Sequence, residues 1–168
     1  MFPERDGEEA LPFNPARAEP DAGVVFVGRV LSPWLTREEC PKNMAAARET
    51  GRPAAIVVDV AYRAGLAGLD AFSHAVILTW LDRSPRNLIV QKPRHAESPR
   101  GTFAVRSPVR PNPIGVHVVR ITDIDAAQGR ISLDAIDVLD GTPVIDIKPY
   151  YPSTDSIADA RTTRAGQK

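Results

Sequence analysis

One proline- and arginine-rich segment, residues 100–119, restricts the possible folds of this chain more than any other. It reads RGTFAVRSPVRPNPIGVHVV and contains Pro108, Pro111 and Pro113. Each proline lacks an N–H donor and clashes with the preceding helical turn, so the segment cannot form a regular helix. A central strand would lose too many of its ladder hydrogen bonds. The predicted elements are a strand at 101–105, a rigid loop at 106–113 and a strand at 114–121.

Three arginines accompany these prolines: Arg100, Arg106 and Arg110. A stiff loop holds guanidinium groups in fixed directions, and the planar guanidinium fork suits carboxylate and phosphate groups. The chain as a whole is neutral, with 21 Lys and Arg against 21 Asp and Glu, but residues 83–120 hold eight cations. This basic segment predicts an anionic ligand or a nucleic-acid partner. The alternative is a solvated surface loop whose charges pair with the acidic C-terminal third.

The length of 168 residues predicts one domain. We expect a loosely ordered acidic and proline-rich arm at 1–22, a folded domain at 23–152 and a frayed tail at 153–168. Short β-branched and apolar runs separated by turn residues predict strands. Besides 101–105 and 114–121, these strands are 24–30, 54–60, 75–81, 88–91, 130–135 and 144–147.

Such a succession of short strands predicts an all-β protein, a small antiparallel barrel or sandwich with one or two short helices. The clearest helix is predicted at 43–50, where Asn43 is a suitable N-cap and Gly51 follows the last turn.

Several site classes are excluded by what the sequence lacks. Cys40 is the only cysteine, so no intramolecular disulfide and no cysteine cluster for zinc or an iron–sulfur centre is possible, and we expect no metal. A lone cysteine favours a reducing, cytoplasmic setting. We expect no membrane span and no secretory signal. Neither a Gly-x-Gly-x-x-Gly motif nor a P-loop nor a serine nucleophile elbow is present.

Four segments, in this order, resemble the TsaA-like family, which includes the YaeB and TrmO proteins. They are VGRVLSP at 27–33, GLDAFSHAVIL at 68–78, RSPVRPNPIG at 106–115 and LDGTPVIDIKPY at 139–150. The resemblance covers residues 24–152. It implies a small β-barrel that forms a homodimer and binds S-adenosyl-L-methionine on the barrel. It also implies methylation of N6 of threonylcarbamoyl-adenosine at position 37, in the anticodon loop of tRNA.

The implied reaction needs specific chemical groups. S-adenosyl-L-methionine carries a carboxylate, an ammonium and ribose hydroxyls, which suit Arg and carboxylate or carbonyl partners. Methyl transfer is an in-line displacement, so alignment supplies much of the rate. The attacking N6 must lose a proton, which favours a nearby carboxylate, histidine or water.

The resemblance also implies site residues. The expected cofactor-binding residues are Pro41, Lys42, Asn43, Asp82, Arg83, Arg106, Val116, Asp134, Ala135, Ile136 and Asp137. Arg106 and Asp137 are the expected catalytic residues. Lys42 and Asn43 stand where the family usually has Arg and Gln, which replaces a planar fork by a point charge. Arg106 fits either the methionine carboxylate or a substrate phosphate, and Asp137 is either a ligand or a turn-former. Asp82 and Arg83 could instead form an ion pair at a hairpin end.

The expected substrate-binding residues are Arg110, Asn112, Lys148 and Tyr150. Asn112 could instead shape its loop, and the Lys148–Tyr150 region could pack at a subunit interface rather than stack on a base.

Two histidines remain open. His74 is either hydrogen-bonded within the structure or a base. His117 replaces a residue that is commonly Ser in the family, and it could titrate near neutrality or lie at the barrel rim.

Two other functions remain open. Some family members carry a further domain after the KPY segment, whereas only seventeen residues follow Tyr151 here. One alternative is therefore methylation of a small metabolite in the same pocket. The other is a non-catalytic module that binds S-adenosyl-L-methionine or RNA.

Overall fold

A computed structural model describes residues 5–93 and 96–162. Arg94 of the basic segment, the first four residues of the predicted arm and the last six of the predicted tail lie outside this range. The strands are β1 (Glu9–Ala10), β2 (Gly28–Leu31), β3 (Ala54–Val58), β4 (His74–Trp80), β5 (Leu88–Gln91), β6 (Arg100–Gly101), β7 (Ile114–Asp125), β8 (Arg130–Leu133) and β9 (Pro143–Pro149). The α-helices are α1 (Met44–Glu49) and α2 (Pro152–Asp155), and 3-10 turns span Val60–Leu66, Leu69–Ala71 and Thr102–Ala104.

Six strands form a closed antiparallel barrel in the order β2-β3-β8-β7-β4-β9, with β9 pairing back onto β2. The longest ladder joins β4 to β7 and runs from His74 opposite Arg120 to Trp80 opposite Ile114. Closure leaves the barrel with no unpaired edge. The predicted all-β fold with few short helices is confirmed.

A second, three-stranded sheet lies beside the barrel in the order β1-β5-β6. Its first strand belongs to the segment interpreted from sequence as an arm. The Glu8 carboxylate, on a side chain only 3% exposed, pairs with Arg5 at 2.6 Å and accepts from the Lys92 backbone N–H at 3.2 Å. Burial alone would raise the pKa of Glu8, but the hydrogen bonds from Arg5 and Lys92 lower it. This carboxylate therefore links the arm to the end of β5.

The barrel interior follows from the period-two pattern of the strands. In β4, sequence HAVILTW, Ala75, Ile77 and Thr79 are fully buried, and the residues between them are partly exposed. The other interior side chains come from all remaining barrel strands. The fully buried ones include Val30, Ile56, Val119, Ile131, Leu133 and Val144. This core fixes the register of β4 and β7, the two strands whose ends reach the site.

The predicted strand at 101–105 is wrong after its first residue. Only Arg100–Gly101 pairs with β5, and Thr102–Ala104 turns into a 3-10 helix. The Thr102 hydroxyl, in a residue 1% exposed, donates to the Leu88 carbonyl at 3.0 Å and accepts from Gln91 at 2.8 Å. Side-chain bonds of this kind compete with strand ladders. Loop 106–113 is confirmed, and β7 begins at Ile114 as predicted but continues to Asp125.

The predicted helix is confirmed, with bounds Met44–Glu49. The Asn43 side chain accepts from the Ala46 N–H at 2.9 Å, which is the N-cap bond expected from the sequence. Gly51 has a φ of 64°, the left-handed conformation that glycine supplies at helix ends. Within 5–93 and 96–162, no helix has the length and apolar character to cross a membrane.

Candidate active site

A cleft of about 500 Å³ opens at the end of the barrel where β4 ends and β7 begins. Three segments form its walls: the start of α1, loop 106–113, and the connection between β8 and β9. It lies in the size range of small-ligand sites. Met44, Leu81, Val116, Val138 and Leu139 supply apolar surface. The cleft can therefore hold a ligand with both apolar and charged parts.

Hydrogen bonds from Gln91 and Arg86 hold loop 106–113 in place on the side away from the cleft lining. Gln91, 5% exposed at the end of β5, donates from Nε2 to the Val109 carbonyl at 2.5 Å. The Arg86 Nε donates to the Pro111 carbonyl at 2.5 Å, and the Arg86 guanidinium lies 5.3 Å from the centre of the Trp80 ring. Together with its fixed proline dihedrals, these bonds hold the arginine-bearing loop in one arrangement.

Five cationic side chains line the cleft: Arg37, Lys42, Arg83, Arg106 and Arg110. In the part of the chain that the structure describes, none of the five forms an ion pair with a carboxylate. Asp82 and Asp137 also line the cleft, so cations outnumber carboxylates there, and an excess of one sign of charge concentrates ligands of the opposite sign. The cleft is therefore suited to an anionic group.

Backbone carbonyls hold the cleft arginines instead of carboxylates. Arg106 donates to the Val116 carbonyl at 3.2 Å, Arg83 to Asp140 at 3.0 Å and Arg110 to Val105 at 3.4 Å. A carbonyl fixes a guanidinium without neutralising it, and most of the five N–H donors of each arginine remain available. The ion pair between Asp82 and Arg83, considered as an alternative from sequence, is absent from the described ion pairs.

The connection from β8 to β9 brings Asp137 into the cleft. The Trp34 indole N–H donates to the Ile136 carbonyl at 2.8 Å, and the Asp140 carboxylate accepts from the Ser32 N–H at 2.9 Å. Both bonds tie the connection to the chain just after β2. Asp137 lies between these two anchors, and its side chain is 16% exposed. A carboxylate is therefore held at the wall of the cleft.

Asp137 is also the end of a buried polar chain that sequence reasoning missed. Its Oδ1 lies 2.6 Å from His117 Nδ1, and His117 Nε2 lies 2.9 Å from the Thr79 hydroxyl. The alternation of β4 and β7 predicts Thr79 and His117 on the barrel interior. However, it gives no sign that two polar residues would meet there. His117 is 5% exposed and belongs to the cleft wall rather than to a solvated rim.

The structure brings together most but not all of the predicted site residues. Those that line the cleft are Pro41, Lys42, Asn43, Asp82, Arg83, Arg106, Arg110, Val116 and Asp137. Those outside its lining are Asn112, Asp134, Ala135, Ile136, Lys148 and Tyr150. Roles for the second group stay predictions that the cleft does not support directly.

The residues outside the cleft have other contacts. The Asp134 carboxylate accepts from the Arg120 N–H at 3.0 Å and from Arg48 at 3.3 Å. Ala135 and Ile136 are 0% and 1% exposed, and the Ile136 carbonyl accepts from the Trp34 indole N–H. Asn112 Oδ1 accepts from Arg86 at 3.3 Å.

The Lys148 and Tyr150 side chains lie on or just beyond β9. Lys148 pairs with Asp146 at 2.7 Å. The Tyr150 ring lies 6.4 Å from His74, whose Nδ1 is 2.9 Å from the Ser73 hydroxyl. His74 is therefore hydrogen-bonded, at a partly exposed position, and its role stays a prediction.

Cys40 lines the cleft but is 8% exposed. Burial raises the pKa of its thiol to about 11, against a smaller opposing effect of Arg37. The thiol is therefore protonated at neutral pH and is a poor nucleophile. Within the described residues, no group of three or more His, Cys, Asp or Glu side chains could hold a metal ion.

Comparison with known proteins agrees with this architecture. Residues 29–156 match the tRNA-methyltransferase O N-terminal domain. The chain belongs to the TrmO family. A crystal structure of TrmO from Pseudomonas aeruginosa superposes with a TM-score of 0.68 at 31% identity, covering 87% of this chain and 63% of that one. Another TrmO crystal structure gives a TM-score of 0.70 at 32% identity, covering 86% of this chain and 64% of that one.

Two curated relatives differ in length. The probable S-adenosyl-L-methionine-binding protein VirR of Rhizobium radiobacter is 34% identical over 85% of this chain and 79% of its own length. The tRNA (adenine(37)-N6)-methyltransferase of Escherichia coli is 31% identical over 83% of this chain and 62% of its own length. The chain thus spans less than two thirds of that enzyme and of the two solved TrmO structures.

Proposed function

We propose that this chain is an S-adenosyl-L-methionine-dependent methyltransferase that acts on N6 of threonylcarbamoyl-adenosine at position 37 of tRNA. The carrying observation is a single cleft that combines five cations without carboxylate partners and a fixed carboxylate, Asp137. Relatives named as S-adenosyl-L-methionine-binding proteins and as a tRNA (adenine(37)-N6)-methyltransferase support the cofactor and the substrate.

The donor set of the cleft fits the cofactor. Arg106, fixed by the Val116 carbonyl, suits the methionine carboxylate, and Asp82 suits the ammonium group. Met44, Leu81 and Val138 offer apolar surface for the adenine. When bound, S-adenosyl-L-methionine supplies an electrophilic methyl group on a positively charged sulfur. The chain itself provides the binding groups and the alignment.

The residues of the chain have three tasks in the proposed reaction. Arg106 orients the bound cofactor, because a guanidinium held at one end has a defined direction for its remaining donors. Arg110, the second arginine of loop 106–113, binds a phosphate of the substrate. Asp137 takes the proton that N6 releases, because it is the carboxylate held at the cleft wall by His117.

We further propose that the tRNA anticodon loop docks over the basic cleft, that the chain acts as a homodimer, and that it works in the cytoplasm. The cleft charges support the first point, since phosphate contacts provide much of the affinity for nucleic acid. The family resemblance supports the second. The third follows from the proposed substrate.

The decisive experiment is incubation of the chain with labelled S-adenosyl-L-methionine and tRNA from a strain without its own such methyltransferase, followed by nucleoside mass spectrometry. Label on threonylcarbamoyl-adenosine is the expected result. Arg130→Ala is the matched control, because Arg130 is exposed on β8 outside the cleft. Light scattering on the same sample tests the dimer.

One other outcome would replace the proposal. Calorimetric binding of S-adenosyl-L-methionine without label on tRNA would favour a small-molecule substrate or a non-catalytic module. Loss of tRNA binding with rising salt separates nucleic-acid recognition from both, because phosphate contacts release counterions.

A further inference from the structure

The buried chain from Thr79 through His117 to Asp137 holds together three residues from different parts of the barrel. Thr79 lies near the end of β4, His117 near the start of β7, and Asp137 in the connection from β8 to β9. Thr79 is 0% exposed and His117 is 5% exposed, whereas the Asp137 side chain is 16% exposed at the cleft. This series of hydrogen bonds therefore runs from the buried barrel interior to the cleft.

The position of each proton between Thr79, His117 and Asp137 follows from the hydrogen-bonding capacity of the neighbouring group. A carboxylate only accepts hydrogen bonds, so beside a carboxylate the donor of the 2.6 Å contact is His117 Nδ1–H. In the neutral imidazole the other nitrogen is an acceptor, so the Thr79 hydroxyl donates to Nε2 at 2.9 Å. Both ring nitrogens are thus in use, and His117 has no free polar atom with which to contact a ligand.

Gly115 makes this arrangement possible. In the ladder between β4 and β7, Thr79 lies opposite Gly115, and His117 lies opposite Ile77. The hydroxyl and the imidazole must therefore meet diagonally, across the position of Gly115. A Cβ atom there would overlap both the Thr79 hydroxyl and the His117 ring. The missing side chain leaves the space in which the two groups bond.

We infer that His117 is a positioning residue for Asp137 and that Thr79, through the gap at Gly115, bonds the second ring nitrogen and so holds the imidazole in the orientation this task needs. The inference rests on the proposed role of Asp137 as the group that accepts the N6 proton. Within the described residues, Asp137 accepts no other hydrogen bond. One carboxylate oxygen is therefore fixed by His117, and the other remains for the substrate.

Two substitutions of His117 separate positioning from simple packing. His117→Asn keeps an N–H donor near the Nδ1 position and loses the contact with Thr79. His117→Gln places its amide near the Nε2 position, which keeps the Thr79 contact and loses the donor to Asp137. The two variants have similar polarity, so a purely structural role would affect them alike.

The expected result is a difference in kcat and not in binding. His117→Gln lowers kcat roughly tenfold to a hundredfold, the effect of losing a hydrogen bond to a charged group. His117→Asn, which keeps a donor to Asp137, recovers most of that loss in kcat, and in both variants the KM for tRNA and the calorimetric affinity for S-adenosyl-L-methionine change less than kcat. In an Asp137→Asn background, the His117→Gln substitution causes no further loss, because coupled residues do not add. Equal losses in both variants would overturn the inference.

A measurement on the unaltered protein guards against variants that do not fold. Nitrogen-15 spectra of the labelled imidazole report which ring nitrogen carries the proton. The inference requires a ring protonated at Nδ1 alone in the wild type, and a ring protonated at Nε2, alone or together with Nδ1, would overturn it.

The spectra of two Thr79 variants test the contact with the hydroxyl. Thr79→Ser keeps the hydroxyl and should keep the Nε2 resonance, whereas Thr79→Val removes the donor to Nε2 and should shift that resonance while Asp137 still holds the proton on Nδ1. An unchanged spectrum in Thr79→Val would contradict a role for the hydroxyl. These readouts need no turnover, so they distinguish failure of the inference from failure of the proposed methyl transfer.

Discussion

Charged side chains are treated differently in the cleft and on the outside of this molecule. Outside the cleft, Arg48 pairs with Asp134 at 3.3 Å and Lys148 with Asp146 at 2.7 Å. In the cleft, arginines such as Arg106 and Arg83 are held by backbone carbonyls and keep their full charge. The contrast concerns carboxylate partners alone, because arginines outside the cleft, such as Arg63 and Arg86, also donate to backbone carbonyls.

The difference shows where the charge serves folding and where it serves ligand binding. An external ion pair neutralises itself and contributes little to stability. Neighbouring cations that form no ion pairs repel one another, and this repulsion opposes folding. An anionic ligand relieves that repulsion. Substitutions in the two regions should therefore affect different measurements.

The largest effect is expected for Arg106→Ala. Loss of a charge-assisted hydrogen bond should weaken S-adenosyl-L-methionine binding by on the order of 2 kcal/mol, about thirtyfold in Kd. Because Arg106 is exposed and bonded only to a carbonyl, the melting temperature should stay close to that of the wild type. Calorimetry and thermal unfolding measure the two quantities.

Arg106→Lys sharpens this test. It keeps the charge and loses the planar fork, so its Kd should lie between those of wild type and Arg106→Ala. Unchanged affinity in Arg106→Ala would remove this residue from the site and with it the contrast between the two regions.

A smaller effect, on stability instead of binding, is expected for Arg48→Ala. Arg48 joins the end of α1 to the barrel, through Asp134 and through the Val118 carbonyl at 2.6 Å. The side chain is 43% exposed, so solvent screens the ion pair, and the loss should be about 1 kcal/mol in urea unfolding. A change in cofactor affinity larger than twofold would contradict the separation of roles.

The smallest effect is expected for Lys148→Met. Its ion pair with Asp146 is exposed, with side chains 62% and 43% accessible, so stability should change by less than about 0.5 kcal/mol. The sequence also suggests Lys148 as a substrate contact. Filter binding of tRNA to Lys148→Met decides this point: weaker binding with unaltered stability would extend the functional surface onto β9.

The sequence predicts most strands of the barrel because their determinants are local, whereas the closed barrel is implied by the family resemblance. The alternation in β4, the asparagine cap of α1 and the prolines of loop 106–113 each determine the structure of their own segment. The turn at Thr102 is missed because it depends on Gln91 and the Leu88 carbonyl, which lie over ten residues away along the chain.

The site residues divide in the same way, into those predicted from the sequence and those whose contacts depend on residues distant along the chain. The resemblance names Arg106 and Asp137, and the structure brings both to one cleft. Strand alternation predicts that Thr79 and His117 face the interior, but their contact could not be predicted, since it requires the register of β4 against β7 and the gap at Gly115. Asp134, by contrast, is turned to the Arg120 N–H, a contact that spacing along the chain does not reveal.

The protonated, shielded thiol of Cys40 makes this chain convenient for spectroscopy. It is the only cysteine, and at neutral pH it offers almost no thiolate to maleimides or similar reagents. A second cysteine introduced at an exposed position of the proline loop would therefore accept a single fluorophore or spin label while Cys40 stays in place. Distances from that label could then follow how the loop responds when the cleft fills.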